Sequence, residues 1–356
     1  MRLLVDYLRG LASDTLRGWQ RFWFTPSDAA TLGLIRIFAG AMLFYTHLVW
    51  ALNLEAFFGA HPWLDREAVG SFFDTQRDYA WSYLWWLSDH PAWLWAAHIA
   101  ALVVFALLTL GLFTRVVSVL AWIITVAYAN RVQGALFGLD QLNGLLAMYL
   151  MIGPSGAAYS LDRLIRRWRA GEPLSPAKPS TGANVALRLI QLHMCVIYLF
   201  AGLSKLQGPE WWDGTAMWGA VANLEYQSID LTWLARHPIL INLMTHTTIT
   251  WEISYCVLVW PRRTRPLVLL VAIPLHLGIA FGLGMITFGL IMLVGNLAFV
   301  PSWLVRRVVD RWLPAATQDD AEDATPAQRA TIAMGRRRVS KSTGKPASTK
   351  KNPHVA

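Results

Sequence analysis

Runs of apolar residues separated by short polar stretches dominate the chain from residue 30 to residue 304. A helix that spans a bilayer needs about 20 predominantly apolar residues. Eight segments reach or approach that length: 30–53, 93–112, 116–131, 139–158, 186–206, 239–260, 266–283 and 285–304. The pattern predicts an all-α fold, a polytopic integral membrane bundle of about eight transmembrane helices.

The two ends of the chain are more polar than this central part. Residues 1–29 intersperse leucines and tryptophans with arginines, which is typical of an amphipathic helix on the inner leaflet. Residues 305–356 begin with arginines and become rich in Ala, Thr, Ser and Lys, which predicts a basic, disordered cytoplasmic tail. Between them, 30–304 is the predicted transmembrane domain, and its outer segments 54–92 and 207–238 predict short interfacial helices.

The composition agrees with a membrane protein. Hydrophobic residues make up 55% of the chain and charged residues 15%, with a mean hydropathy of +0.38; soluble domains carry about 25% charged residues. The 19 tryptophans fit the same class, because indole rings favour the boundary between water and lipid. Cys195 and Cys256 both lie in apolar runs, where we expect packing residues rather than a disulfide.

The net charge of +9 is distributed unequally between the two sides of the membrane. With eight spans, the segments on the side of the termini hold 24 Lys and Arg, and the opposite segments hold 4. Basic loops stay in the cytoplasm, so both termini are predicted to be cytoplasmic and the protein to lie in the cell's inner membrane. The expected partner is the lipid bilayer, and no nucleic acid is expected, since the basic excess is a topology signal.

Ionisable side chains at membrane depth are costly and are candidates for function. Arg36 lies in the inner half of the first segment and either binds a substrate or bonds backbone carbonyls. Asp140 opens the fourth segment and is either a catalytic carboxylate or a helix cap. Glu252 and His276 lie inside neighbouring segments, and Pro274 frees a carbonyl near His276. We expect Glu252 and His276 to share a polar cavity.

Lys205 lies at the outer end of the fifth segment, within LFAGLSKLQGPEWWDG. One interpretation is an anchor whose amine extends to water. However, a turn at Gly208 and Pro209 and the indoles of Trp211 and Trp212 follow directly, and they would shield the amine. A desolvated lysine favours the neutral amine, whose lone pair a general base requires.

These polar residues predict a single outward-opening cavity. Asp140, Lys205, His246 and His276 would line it, and Glu252 would form its floor. The candidate catalytic residues are therefore Lys205, His276, Glu252 and Asp140, and the candidate substrate-binding residues are Trp211, Trp212, His246 and Arg36. No spacing of ligands predicts a metal site.

Several sequence blocks occur in a fixed order: LGLIRIFAG around Arg36, GLFTRVVSVL around Arg115, LNGLLAMYL, YSLD, IYLFAGLSKL with Lys205, and WWDGTAM. Glu252, the tripeptide RTR and His276 follow them. In this order the chain resembles the transmembrane region of vitamin K-dependent gamma-glutamyl carboxylase and its shorter bacterial relatives, the HTTM (horizontally transferred transmembrane) proteins. The resemblance extends over about residues 32–300.

The resemblance implies roles for two of these residues. Lys205 takes the place of the lysine that deprotonates reduced vitamin K in the carboxylase, and His276 that of a nearby histidine. It makes a reduced quinone a candidate cofactor and a quinone or lipid a candidate ligand. The carboxylase has Asn-Asn-His where this chain has Phe137, Gly138 and Leu139, so a hydrogen-bond donor is absent or replaced. Its lumenal substrate-binding domain has no counterpart here, which argues against carboxylation of peptide glutamate.

Three interpretations remain open at the level of sequence. The first is a membrane enzyme that uses Lys205 as a base on a quinol-like or lipid substrate, with carboxylase-like or quinol-dependent oxygenase chemistry. The second is a non-catalytic lipid or small-molecule binder or transporter that retains the fold. The third is a scaffold that binds partners through its cytoplasmic ends.

Overall fold

The computed structural model describes residues 2–63, 81–171 and 177–311. This part of the chain is helical, with an isolated antiparallel bridge between Ser27 and Ser180 and no β-strand. The helices are α1 Arg2–Phe24, α2 Ala30–Trp50, α3 Leu54–Phe58, α4 Leu84–Leu87, α5 Pro91–Leu110, α6 Thr114–Arg131, α7 Gly138–Ile152, α8 Leu161–Ala170, α9 Thr181–Lys205, α10 Pro209–Trp212, α11 Ala216–Val221, α12 Pro238–Leu258, α13 Arg265–Gly282, α14 Ile286–Asn296 and α15 Ser302–Val309.

The structure describes the flanking and outer segments in part. Met1–Arg306 form one compact unit, and a second unit begins at Arg307, of which residues 307–311 are described. The central part of the outer segment 54–92, residues 64–80, lies outside the described residues, as does the predicted tail from residue 312 onward.

Each of the eight predicted segments contains a helix, and four helices are long and apolar enough to cross a membrane. These are α2 with its continuation to Phe58, α5, α9 and α13. A fifth candidate is the pair Ile286–Phe299 and Ser302–Val309, which is bent by 117°. The structure therefore has four to five candidate spans, and the count of about eight stays a prediction.

The seventh helix ends earlier than the apolar pattern predicts. The pattern continues to residue 158, whereas α7 ends at Ile152, before Gly153 and Pro154. A residue that precedes proline is disfavoured in the helical region, which explains this end. With 15 residues, α7 is about 22 Å long, which is shorter than a hydrocarbon core of about 30 Å.

Two apolar cores hold the bundle together, and α2 contributes to both. The first core lies between α2, α7, α9, α12, α13 and α14 and includes the buried rings of Tyr198 and Tyr255. The second lies between α2, α5 and α6, with α3 and α4 at its edge, and includes Phe58 and Tyr128. The most extensive helix pairs are α2 with α5, α9 with α12, and α13 with α14. The pairing of α9 with α12 positions the candidate site.

Among the described contacts, the first helix is attached to the bundle only at its C-terminal end. The amide of Asn184 donates to the carbonyls of Phe22 (2.7 Å) and Trp23 (2.8 Å). The guanidinium of Arg188 lies 4.4 Å from the centre of the Phe22 ring. Residues 3–21 are exposed, including Leu8 and the other apolar side chains of that face. This arrangement agrees with a helix that lies on a membrane surface.

An ion pair connects Asp28, two residues before α2, to α15. The guanidinium of Arg306 donates to both oxygens of Asp28, at 2.6 and 2.7 Å. Burial alone would raise the pKa of Asp28, but the hydrogen bonds from Arg306 and from the Ala30 N–H, with the charges of Arg306 and Arg163, together lower it. The hydroxyls of Thr31 and Ser302 add a bond of 2.9 Å.

Candidate functional site

Lys205 and Glu252 form an ion pair between α9 and α12. The Nζ atom of Lys205 lies 3.1 Å from Oε1 and 2.9 Å from Oε2 of Glu252. The side chain of Lys205 is 25% exposed and that of Glu252 is 9% exposed. The same Nζ lies 5.4 Å from the centre of the Trp211 ring, within the range of a cation–π contact. The lysine is therefore held between a buried carboxylate and an indole.

Gly202 allows the two helices to approach closely at this point. A Cβ atom at position 202 would lie 2.7 Å from Cγ1 of Ile253 and 3.2 Å from Cβ of Glu252. Any larger residue would force α9 and α12 apart. Since Gly202 precedes Lys205 by three residues, both lie on the face of α9 that meets α12.

The segment after Lys205 folds back onto the N-terminal half of α12. Gly214 has a φ of +82°, and a Cβ at this position would lie 1.8 Å from the amide nitrogen of Asn242. This explains a glycine at the third residue after Trp211. The N–H of Met217 donates to the hydroxyl of Thr245 on α12 (3.1 Å). We call residues 206–237 the outer cap.

The outer cap has a small apolar core of its own, which includes Val221, Leu234 and Ile241 of α12. It also contacts the end of α13, where the Ser228 N–H donates to the Gly282 carbonyl (3.3 Å). Glu252 lies 14 residues after the first residue of α12, about 21 Å along the helix. Lys205 is the last residue of α9, and its partner Glu252 lies well inside α12, so the pair joins the end of one helix to the interior of the other beneath the cap.

His276 takes part in a buried hydrogen-bond network behind the ion pair. Its Nε2 lies 2.6 Å from the hydroxyl of Tyr198. The amide of Asn296 donates to the Tyr198 hydroxyl (2.7 Å), and Tyr255 donates to the amide oxygen of Asn296 (2.8 Å). Because Tyr198 accepts from Asn296, its own proton is available for His276 Nε2, which places the imidazole proton on Nδ1. That Nδ1 atom is buried and has no protein partner.

Trp251 connects the network to the ion pair. Its ring lies 4.8 Å from the Tyr198 ring and 6.3 Å from the His276 ring, centre to centre, and the next residue is Glu252. Tyr198 lies two turns before Lys205 on the same face of α9. The structure thus brings Lys205, Glu252 and Trp211 into direct contact and places the His276 network one layer deeper.

Asp140 has a different set of neighbours. Its carboxylate accepts from the N–H of Phe137 (3.2 Å) at the start of α7, as the helix-cap interpretation predicts. It also lines a small cavity together with His47 and Asn143. Participation of Asp140 in a cavity shared with Lys205 stays a prediction.

Arg36 is fully buried and bonds backbone carbonyls. Its guanidinium donates to the carbonyls of Leu108 (2.7 Å), Thr109 (3.0 Å) and Tyr159. These contacts connect the C-terminal end of α5, whose carbonyls lack helical partners, to the segment before α8. They agree with the carbonyl-bonding alternative, and a role of Arg36 in substrate binding stays a prediction.

Trp212 and His246 lie at the rim of the outer cap. The indole N–H of Trp212 donates to the Leu206 carbonyl (2.8 Å), while the residue is 66% exposed. His246 is exposed on α12. The preceding residue, Thr245, accepts from the Met217 N–H, so His246 lies next to a contact between α12 and the cap. Binding of a substrate by either residue stays a prediction.

Sequence reasoning missed Tyr198, Asn296 and Tyr255. A signal for Tyr198 was present, because it lies seven residues before Lys205 and so on the same helix face. Asn296 was a polar amide in an apolar segment, which is a reason to look for a buried partner. Within the described residues, no group of three or more His, Cys, Asp or Glu is placed to hold a metal ion.

The apolar candidate spans and the polar groups buried between them define a multi-pass helical membrane protein. Residues 24–303 match the family model described as the HTTM domain, and the chain belongs to the HTTM family. No curated protein gives a significant match, and no solved structure does either.

Proposed function

We propose that the Lys205–Glu252 pair is the active site of a membrane enzyme that acts on a hydroxyl of a quinol-like or lipid substrate. The observation that carries the proposal is the contact of Nζ with a buried carboxylate at 2.9 Å beneath the Trp211 indole. A charged pair at membrane depth is costly and is a functional hypothesis by default. The resemblance of the segment around Lys205 to the carboxylase supports the same assignment.

The pair gives Lys205 a route to the neutral amine. An ammonium and a carboxylate at this distance can exchange one proton, and loss of water favours the neutral amine and carboxylic acid. When a substrate displaces the remaining water, Nζ passes its proton to Glu252 and then accepts the proton of the substrate hydroxyl. The ammonium formed in this way lies beside the new oxyanion and stabilises it.

The other candidate residues are assigned supporting roles in this proposal. Trp211 and Trp212 flank the path of the substrate, and His246 lies at its outer rim. His276, held by Tyr198, forms the inner wall of the site. A reduced quinone is the proposed co-substrate, with carboxylase-like or oxygenase chemistry.

The proposal includes a topology. We assign eight spans to the transmembrane domain 30–304, cytoplasmic positions to segment 1–29 and tail 305–356, and the inner membrane of a bacterium as location. The 24-to-4 distribution of basic residues supports this assignment. Fusion of a cytoplasmic reporter to each terminus tests it, since a signal from only one terminus would require an odd number of spans.

A second candidate function is a non-catalytic binder or transporter of a lipid or small molecule. The observation in its favour is that Lys205 and Glu252 satisfy each other across the close contact at Gly202. Such a pair can serve as a structural connection between α9 and α12 without any proton transfer.

The test compares wild type with Lys205→Arg and Glu252→Gln in proteoliposomes. Reduced menaquinone and ubiquinone analogues are supplied with oxygen, with and without bicarbonate, and mass spectrometry measures substrate loss and products. We expect turnover by wild type and none by Lys205→Arg, because a guanidinium does not give up its proton. Lys178→Arg, at an exposed lysine, is the matched control and should retain wild-type turnover.

Two outcomes would contradict the enzyme proposal. If Lys205→Arg turns over as wild type does, Lys205 is not the base. If wild type changes no substrate, but a quinone or lipid copurifies with it and is lost from Lys205→Ala, the binder is the correct function.

A further inference from the structure

A small cavity lies between α2, α6 and α7, apart from the Lys205–Glu252 pair. Its volume is about 10 Å³, which admits one particle of the size of a water molecule. Its polar lining residues are Thr46, His47, Thr125, Asp140 and Asn143. None of the lining residues is a lysine or an arginine.

Two of these residues have buried polar atoms without a protein partner. His47 is 2% exposed and Asn143 is 1% exposed, and the unpartnered atoms are Nε2 of His47 and Oδ1 of Asn143. The Nδ1 atom of His47 lies 2.8 Å from the Leu43 carbonyl, which can only accept. The imidazole proton is therefore on Nδ1, and Nε2 is an acceptor. Both unpartnered atoms are thus acceptors.

The hydroxyls and the carboxylate of the cavity add further acceptors. The hydroxyl of Thr46 donates its proton to the Leu43 carbonyl (3.1 Å), and that of Thr125 donates to the Ala121 carbonyl (2.7 Å). Their oxygens keep free lone pairs. Asp140 contributes a carboxylate, which also accepts backbone N–H groups at the start of α7, including that of Phe137 (3.2 Å). The cavity therefore contains one carboxylate and several oxygen and nitrogen lone pairs. The hydroxyl protons of Thr46 and Thr125 are already donated to backbone carbonyls.

We propose that this cavity binds one small monovalent cation, Na⁺ in preference to K⁺. Carboxylate, amide and hydroxyl oxygens are the ligands that hard cations prefer. A cation neutralises the carboxylate and gives the unpartnered acceptors a partner. Buried acceptors without a partner would otherwise destabilise the interior of the bundle. The small volume favours the smaller ion, because K⁺ would have to push the three helices apart.

This inference does not depend on the proposed function of Lys205. The groups of the cavity belong to α2, α6 and α7, and those of the ion pair belong to α9 and α12. Cation binding is expected whether the protein is an enzyme or a binder. Failure of the quinol assay would leave it standing, and its own failure would leave the Lys205 proposal standing.

The experiment measures the thermal unfolding of the purified full-length protein in detergent at constant ionic strength, with Na⁺, Li⁺ or K⁺ replacing choline. We expect a saturable rise in Tm of several degrees with Na⁺ and a smaller one with K⁺, since a ligand that binds only the folded state stabilises it. Asp140→Asn should abolish the response to Na⁺. Thr46→Val, which keeps the volume, should raise the half-saturating concentration about tenfold. Asp6→Asn, at an exposed aspartate of α1, is the matched control and should respond as wild type does.

Equilibrium dialysis with radioactive ²²Na⁺ provides a second measurement that is independent of unfolding. We expect about one ion bound per wild-type chain, with displacement by Li⁺ but not by choline. A Tm that is equal in Na⁺ and choline, with no bound ²²Na⁺, overturns the proposal and leaves a water molecule as the occupant. A response to Na⁺ that persists in both Asp140→Asn and Thr46→Val overturns it as well. If Asp140→Asn does not fold, Thr46→Val and the dialysis of wild type decide.

Discussion

Replacement of Lys205 by methionine tests the physical basis of the candidate site. The change removes the amine while keeping most of the side-chain volume. It leaves the carboxylate of Glu252, which is 9% exposed, without its partner. The reverse change, Glu252→Leu, leaves an amine on a side chain that is 25% exposed and can extend toward water. The two single variants are therefore expected to differ.

The magnitude follows from the geometry. At 2.9 Å and an effective dielectric constant of about 20, the Coulomb attraction is about 6 kcal/mol. Desolvation of the two ions offsets most of it, and removal of one partner from a buried pair costs about 3–5 kcal/mol. Because the lysine is partly exposed, we expect about 2–3 kcal/mol for Lys205→Met and about 1 kcal/mol for Glu252→Leu. The double variant should be within about 1 kcal/mol of wild type.

The assay is thermal unfolding followed by tryptophan fluorescence, with the four proteins forming a double-mutant cycle. For a chain of this length, a loss of 2–3 kcal/mol corresponds to a decrease in Tm of about 3–5 °C, and the double variant should recover most of it. If the two single changes shift Tm equally and their effects add in the double variant, the amine and the carboxylate do not interact in the folded protein. The site described here would then be wrong.

Three further predictions use the same measurement of Tm. Because the pKa of Asp28 is lowered on folding, its ion pair stabilises the protein above about pH 4, and this contribution is lost as the pH falls through the folded-state pKa. The Asp28→Asn variant should therefore be less stable than wild type at pH 7, and its Tm should fall less in acid. Gly202→Ala should lower the stability by about 1–3 kcal/mol, because its Cβ would lie 2.7 Å from Ile253. Gly278→Ala is the control: nothing lies within 4 Å of the new Cβ, so this change should be neutral or stabilising. Arg36→Lys should cost about 2–4 kcal/mol, because one ammonium cannot reach all three carbonyls that the guanidinium bonds.

The helices could be predicted from the sequence to within a few residues at most ends. The start of α2 at residue 30 and the end of α6 at residue 131 coincide with the predicted bounds, since long apolar runs and their polar ends are direct signals of a buried helix. The end of α7 was missed because apolar residues continue past Pro154, where the backbone can no longer be helical. The bend of 117° between α14 and α15 was missed for the same kind of reason, because apolar residues continue on both sides of Pro301.

The pairing of residues within the site could not be predicted from spacing. Lys205 and Glu252 are 47 positions apart, and their contact depends on the glycine at position 202 and on the way the outer cap holds α12. For Asp140, the sequence placed the carboxylate at a helix start. It gave no indication that this side chain lines a cavity together with His47 of α2. Helical periodicity defines a face, but the partner of that face is decided by the packing of the whole bundle.

The outer cap affects which concentration controls binding at Lys205, that in the lipid or that in the buffer. The cap is bonded to α12 through Thr245 and to α13 through the Gly282 carbonyl, and in the proposed topology it lies on the aqueous side of the ion pair. For the proposed quinol or lipid substrate, we therefore expect entry by lateral diffusion from the surrounding lipid. Occupancy follows the mole fraction of ligand among the lipids and not its amount per volume of buffer. Dilution with inert lipid at fixed total ligand should empty the site, whereas dilution of the vesicles in buffer should leave it filled.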